Sequence, residues 1–200
     1  YEGNIYLNVK KAPKMKEYPY IGRVLADAGY ATAYCGKWHL IPSLKREKRI
    51  HGFQHTPVAG GGKLDLKITK PICDFIRSRK DKDQPFFAVF SYNNPHNICQ
   101  WIRKQRPLPI KSIPDPPTNK QNLPPLPDNF EIPEEEPKVI RKIWKEHEKK
   151  HYPVKDWNEI DWRQYLWGYY RLIEIVDEEI QKILNTLKET DQMENTVIVF

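Results

Sequence analysis

Lys37 and His39 stand two residues apart near the end of Ala-Gly-Tyr-Ala-Thr-Ala-Tyr-Cys-Gly-Lys-Trp-His-Leu, residues 28–40. An ammonium and an imidazole at that spacing suit the binding of an anionic group. The cation stabilises negative charge on a reacting oxygen, and the imidazole can give or take a proton near neutral pH. His96 closes a second stretch of this kind, Pro-Phe-Phe-Ala-Val-Phe-Ser-Tyr-Asn-Asn-Pro-His at 85–96. Singly, each of the three is ordinary, because a lysine is mostly solvated and a buried histidine is mostly satisfied by its neighbours. Their common position, just past an apolar run, is what marks them.

The runs themselves read as strands. Tyr30 to Cys35 is short and feeds Gly36-Lys37-Trp38-His39, while Phe86 to Ser91 is a stronger apolar run that feeds Asn93-Asn94-Pro95-His96. Ahead of the first, Ile21, Val24, Leu25 and Ala28 recur at helical spacing, with Pro19 suited to a first turn and Gly29 to a C-terminal stop. Leu64 to Arg79 predicts a second helix, in which Pro71 marks a kink or a first turn. Residues 41–62 read as loop and end in Gly60-Gly61-Gly62, a triplet without the spacing or the lysine of a phosphate-cradling P-loop. Near the end, Leu166, Tyr169, Ile173, Val176, Ile180, Ile183, Leu184 and Leu187 make an apolar stripe that predicts a long helix. Thr196 to Phe200 reads as a closing strand. Strands alternating with helices in this order predict an α/β layered fold with a largely parallel central sheet flanked by helices. In such sheets ligands gather beyond the carboxyl ends of the strands, which is where Lys37, His39 and His96 fall.

Between the second strand and the long helix the pattern breaks. Residues 105–137 carry more than half of the eighteen prolines, which rules out regular helix or central strand there. Leu-Pro-Pro-Leu-Pro at 123–127 has the form of a polyproline ligand, but a surface excursion packed on its own domain is the simpler reading. Glu134 to Lys150 reads as a charged, partly helical stretch with a solvated face.

The whole chain of 200 residues has a net charge of +7 and a pI near 9.2. Such a balance favours anionic partners, whether sulfated or phosphorylated polymers, nucleic acid or an acidic membrane surface; a solvated basic surface is the plainer reading. Cys35, Cys73 and Cys99 are odd in number and form no CxxC pair, which argues against a zinc site or a disulfide framework and for buried free thiols. No stretch has the form of a membrane span or a signal peptide. The chain opens at Tyr1 and stops at Phe200 within an apolar run, and the expectation is a piece of a longer protein.

Against this background the motifs resemble those of the sulfatases. Gly-Tyr-Ala-Thr-Ala-Tyr-Cys-Gly-Lys-Trp-His (29–39) is similar to the second signature of that family, and residues 85–96 resemble its strand ending in Pro-His. His51-Gly52-Phe53 fits a recurring family tripeptide, and Tyr169 to Phe200 looks like its long helix and following strand. The resemblance covers most of the chain, in order, and implies an alkaline-phosphatase-like fold. Residues 1–200 would be part of one catalytic domain, with the Pro-rich surface excursion at about 97–137. The implied activity is sulfuric ester hydrolysis, on a sulfated carbohydrate, through a formylglycine nucleophile beside a calcium ion. Carried onto this chain, Lys37 would bind the sulfate and the nucleophile's oxygens, and His39 would hydrogen-bond the formylglycine hydroxyl. His96 would contact the sulfate and assist the leaving alcohol.

The departures are as specific. No Cys/Ser-x-Pro-x-Arg motif occurs in the chain, and neither the early acidic pair for calcium nor a Ser-Asp-His-Gly-type segment is present. Formylglycine and calcium ligands are therefore expected outside these residues, and the 200 residues alone are expected to be inactive. The family also implies a periplasmic or secreted protein, a sulfated small molecule or glycan as partner, and no nucleic acid. The alternatives are a phosphomonoester or phosphonate hydrolase of the same superfamily, and a non-catalytic binder of acidic polysaccharide.

Overall fold

A computed structural model of the chain describes residues 19–38, 44–58, 65–103, 113–150 and 152–200, without the side chains of 147–150. Helix α1 (Ile21–Asp27) stops where glycine permits it. Gly29 has φ +90°, its N–H donates to Ala26 O, and the N–H of Tyr30 donates to Leu25 O. This paired closure satisfies two carbonyls that a helix end otherwise leaves open. The face of α1 differs from the spacing argument. Ile21 and Val24 are exposed, and the residue that packs inward is Gly22, where an added Cβ would meet His51 O at 2.6 Å. Here close approach of the backbone, rather than side-chain bulk, decides which side of the helix is covered.

Strands β1 (Ala31–Gly36) and β2 (Phe86–Ser91) form a parallel pair, in register from Ala31 opposite Phe86 to Gly36 opposite Ser91. Both lie within one residue of the predicted spans. The other edge of β1 is also occupied. Tyr34 N–H donates to His55 O, Gly36 N–H donates to Val58 O, and His55 N–H donates to Thr32 O. A strand hydrogen-bonded on both edges is a central strand, and five of the six residues of β1 are buried. Within the expected loop at 41–62 lies one short helix, α2 (Lys48–His51). It escapes a periodicity search because a single turn has no period to show.

Helix α3 (Thr69–Arg77) carries Pro71 in its first turn, where the missing N–H costs nothing. Its Phe75 packs on Ala31, Ala33, Phe86 and Ala88 of the strands. Ile72, Cys73 and Ile76 join Cys35, Ile68, Ile183 and Leu187 in a second cluster. Each fully buried aliphatic side chain there stabilises the fold by about 1.5–3 kcal/mol.

The chain divides into two compact units, 1–93 with 177–200, and 94–176. Helix α6 (Glu159–Glu189) contributes residues to both, and at 31 residues is about 46 Å long. It is preceded by α4 (Cys99–Ile102) and α5 (Lys138–Lys150). Asn158 Oδ1 accepts from the N–H groups of Ile160 and Asp161, while Asp161 Oδ2 accepts from Asn158 N–H at 2.8 Å. That reciprocal cap fixes where α6 begins. In the second unit Leu172 is fully buried with Ile98 and Trp101, and Gly168 lets Trp101 approach to 2.8 Å of where its Cβ would stand.

The buried line of α6 therefore runs through Gly168, Leu172, Glu179, Ile183, Thr186 and Leu187, and Ile173 is exposed. The apolar stripe had the right period but lay beside this line: it held Ile183 and Leu187 and missed Gly168, Leu172, Glu179 and Thr186. In the Pro-rich segment, Arg163 of α6 donates to the carbonyls of Pro124 (2.7 Å) and Leu123 (2.8 Å), and Gln164 donates to Pro117 O at 2.9 Å. Leu-Pro-Pro-Leu-Pro is thus held against its own unit. The predicted strand at Thr196 to Phe200 is absent: those residues pair with nothing in the sheet, and Val197, Val199 and Phe200 are exposed. An apolar run becomes a strand only where a neighbouring strand accepts its hydrogen bonds.

Candidate active site

Gly36 ends β1 with φ +112°, a conformation that only glycine adopts without strain. A Cβ there would lie 2.2 Å from Ser91 O and 2.8 Å from Ile68 Cδ1. Its absence lets the next residue continue the ladder, and Lys37 N–H donates to Ser91 O at 2.7 Å. The Tyr34 hydroxyl donates to Lys37 O at 2.5 Å. Lys37 is therefore held at both backbone polar groups, at the carboxyl end of the parallel pair, with a half-buried side chain.

Trp38 anchors the same turn from below. It meets Tyr34 edge-on with ring centroids 4.9 Å apart, and lies 5.5 Å from the His51 ring and 6.2 Å from that of Phe53. Two motifs that the sequence shows separately thus pack together, Gly-Lys-Trp at 36–38 against His-Gly-Phe at 51–53. Gly52 is required between the two rings. It has φ +79°, and an added Cβ would sit 2.2 Å from the Arg23 backbone.

His51 is fully buried, its Nε2 is 3.0 Å from Leu44 O, and Phe53 N–H donates to its Nδ1 at 3.0 Å. Nδ1 must accept, so Nε2 carries the proton and the ring is neutral. Burial lowers the pKa of His51 below its usual value, and it does the same for His55. The unfolded chain then binds more protons than the folded one. The stabilisation is complete above the unfolded value of about 6.5 and is lost as pH falls through the folded values. We predict a lower denaturant midpoint at about pH 5.5 than at about pH 7.5; equal midpoints would show that these rings do not titrate with unfolding.

The exit of β2 is fixed by polar contacts. Asn93 N–H donates to Asp65 Oδ1 at 2.7 Å, within a buried setting. The hydroxyl of Thr69 donates to Glu179, so its oxygen is left to accept from Tyr92 OH at 2.7 Å. Burial pushes the Tyr92 phenol up to about 12, which keeps it a donor. Lys182 completes the line by donating to Glu179 Oε1 at 2.5 Å. None of these positioning residues was singled out in the sequence. One signal was there for Glu179, a carboxylate between Val176 and Ile183 on the buried line of α6. Asp65 had none, because its partner lies 28 positions away.

Lys37 belongs to the first unit and His96 to the second. His96 opens a short 3₁₀ turn, His96–Ile98, with its side chain exposed. His39 and Gly60 to Gly62 lie outside the described residues. All three cysteines are free thiols. Cys35 is fully buried and its thiol is pushed up to about 11 by burial. It is therefore protonated near neutral pH and a poor nucleophile. Among the described residues no three His, Cys, Asp or Glu side chains lie close enough together to hold a metal ion, and no helix is long and apolar enough to cross a membrane.

The chain is similar to several known proteins. The chain is 25% identical over 196 residues to a Delta 4,5-hexuronate-2-O-sulfatase of Bacteroides thetaiotaomicron, covering 90% of this chain and 38% of that protein. It is 24% identical over 245 residues to an N-acetylglucosamine-6-O-sulfatase of the same organism, covering 89% of this chain and 42% of the relative. The chain thus spans well under half the length of either. Among solved structures, Ps i-CgsB in complex with k-i-k-neocarrahexaose is 16% identical with a TM-score of 0.43, over 95% of this chain and 40% of that one. The Sulfatase family model matches residues 1–200, the full length given. With a family model that spans the chain from residue 1 to residue 200, this chain belongs to the sulfatase family.

Proposed function

We propose that the whole protein carrying this chain hydrolyses sulfate esters of a carbohydrate. The observation that carries the reading is the fixed position of Lys37, beyond the carboxyl ends of two parallel strands, in a chain of the sulfatase family. The names of the two curated relatives, both carbohydrate sulfatases, support the substrate class. Cleavage of a sulfate ester moves negative charge onto the bridging oxygen. An ammonium carried on a main chain that is already held in place can stabilise that charge. In this reading Lys37 binds the sulfate, His39 hydrogen-bonds the nucleophile, and His96 supplies the proton to the leaving alcohol.

The described residues do not themselves fit a calcium ion, since no cluster of ligating side chains occurs among them. The buried, protonated Cys35 does not fit the precursor of a formylglycine. Both groups enter the proposal only as contributions of segments outside these residues, and no step is derived through them.

The test is release of inorganic sulfate by the whole protein from sulfated mono- and oligosaccharides, beside matched 4-nitrophenyl sulfate and phosphate esters. We expect sulfate release and a clear preference for the sulfate ester. Hydrolysis of the phosphate ester alone would reassign the protein to a phosphomonoester hydrolase, and binding of glycan without turnover would make it a carbohydrate-binding protein.

A further inference from the structure

Helix α5 carries charge in a way that the other helices do not. In α1, α3 and α6 several cations pair with acids one turn away: Arg23 with Asp27, Lys70 with Asp74, Arg163 with Glu159 and Lys182 with Glu179. In α5, Lys138, Arg141, Lys142 and Lys145 stand at spacings of three and four, so they share one face. Arg141 is held by Glu136 at 3.8 Å and by the carbonyls of Pro133 and Glu134. Lys138, Lys142 and Lys145 are exposed and form no ion pair with any described residue. Like charges one turn apart destabilise a helix. A bound polyanion would remove that repulsion. Among the described residues, these four cations and Glu146 line an open hollow.

We propose that this stripe of α5 is a second, non-catalytic site that holds a sulfated polysaccharide. For the class of polymer the inference rests on the proposed function; for the place it rests on the helix. From residue 138 to residue 145 the stripe extends about 10 Å along the axis. A compact single anion would meet one or two of these cations, whereas an extended chain with repeated sulfates meets the whole line. An anionic membrane or a nucleic acid would meet the same charges, and the proposed substrate class decides for the polysaccharide.

The test compares the whole protein with its Lys138→Gln, Lys142→Gln, Lys145→Gln triple variant, using fluorescent dextran sulfate as probe and uncharged dextran as control. Glutamine keeps helix propensity at these exposed positions, and circular dichroism checks the fold. The single variant Lys142→Glu places an opposing charge mid-stripe should the triple variant be poorly behaved. We expect at least about a tenfold loss of dextran sulfate affinity and a shallower salt dependence, by about two in the log–log slope. Turnover of 4-nitrophenyl sulfate should not change. Wild-type affinity in both variants would overturn the site. So would tighter binding of wild-type protein to duplex DNA, or to vesicles of phosphatidylcholine with phosphatidylglycerol, than to dextran sulfate. A protein that turns over no sulfate ester, yet loses polymer binding in the triple variant, would overturn the proposed activity and uphold the α5 site.

Discussion

Lys37→Ala in the whole protein is expected to lower kcat on a sulfate ester by about 10²–10³-fold, the usual cost of removing one fixed group that stabilises transition-state charge. The fold should survive. The two contacts that hold residue 37, from its N–H to Ser91 O and from Tyr34 OH to its own carbonyl, use only main-chain atoms of that residue. Alanine keeps both. Stability is thus separated from charge, which makes the variant informative. A loss of activity with an unchanged unfolding midpoint assigns the defect to the missing ammonium. Lys37→Arg restores the charge on a planar head of different shape, so it should recover part of the loss. Near-normal turnover in the alanine variant would remove Lys37 from the reaction.

The second large effect is expected at Gly36. Gly36→Ala combines a strained backbone, at φ +112°, with a Cβ placed 2.2 Å from Ser91 O. The obstructing atom is itself the acceptor for Lys37 N–H, so it cannot move without breaking the clamp. We expect a loss of about 3–5 kcal/mol, from backbone strain and overpacking acting together, seen as a lower denaturant midpoint or as insoluble protein. Gly29→Ala is the control. Gly29 also has positive φ, +90°, but an added Cβ meets nothing within 4 Å, so only the backbone term of about 1–2 kcal/mol applies. If the two variants are equally stable, the close approach at Ser91 is not what fixes the end of β1.

These two glycines also show what a sequence can disclose. Gly29 could be read as a helix stop because its whole motif is local, closing on Leu25 and Ala26. The two strands and the first-turn Pro71 were legible for the same reason, since apolar runs and punctuating residues act over a few positions. Gly36 stood in plain view within Gly-Lys-Trp-His, but its reason, the carbonyl of Ser91, is supplied from far along the chain. The misreadings share that cause. Thr196 to Phe200 has the composition of a strand, and pairing depends on a neighbour that its composition cannot reveal. Ile21 and Val24 have helical spacing, yet the covered side of α1 is set by Gly22 against Phe53. In the candidate site, motif matching marked Lys37 and His96. The buried line from Tyr92 through Thr69 to Glu179 was left out, because each member is an ordinary residue until the fold brings them together.

Residues 37–85 all lie between the two strands that position the lysine. A parallel pair cannot be closed by a hairpin, and the entropy of so long a connection must be overcome before its hydrogen bonds form. The turn at Gly29 needs only the residues beside it and can form at once; the bond from Lys37 to Ser91 has to wait for the whole crossover. During synthesis the ribosome must release Ser91 before Lys37 has anywhere to settle. In this unit the lysine that the proposed function sets against the sulfate is thus among the last features to be put in place.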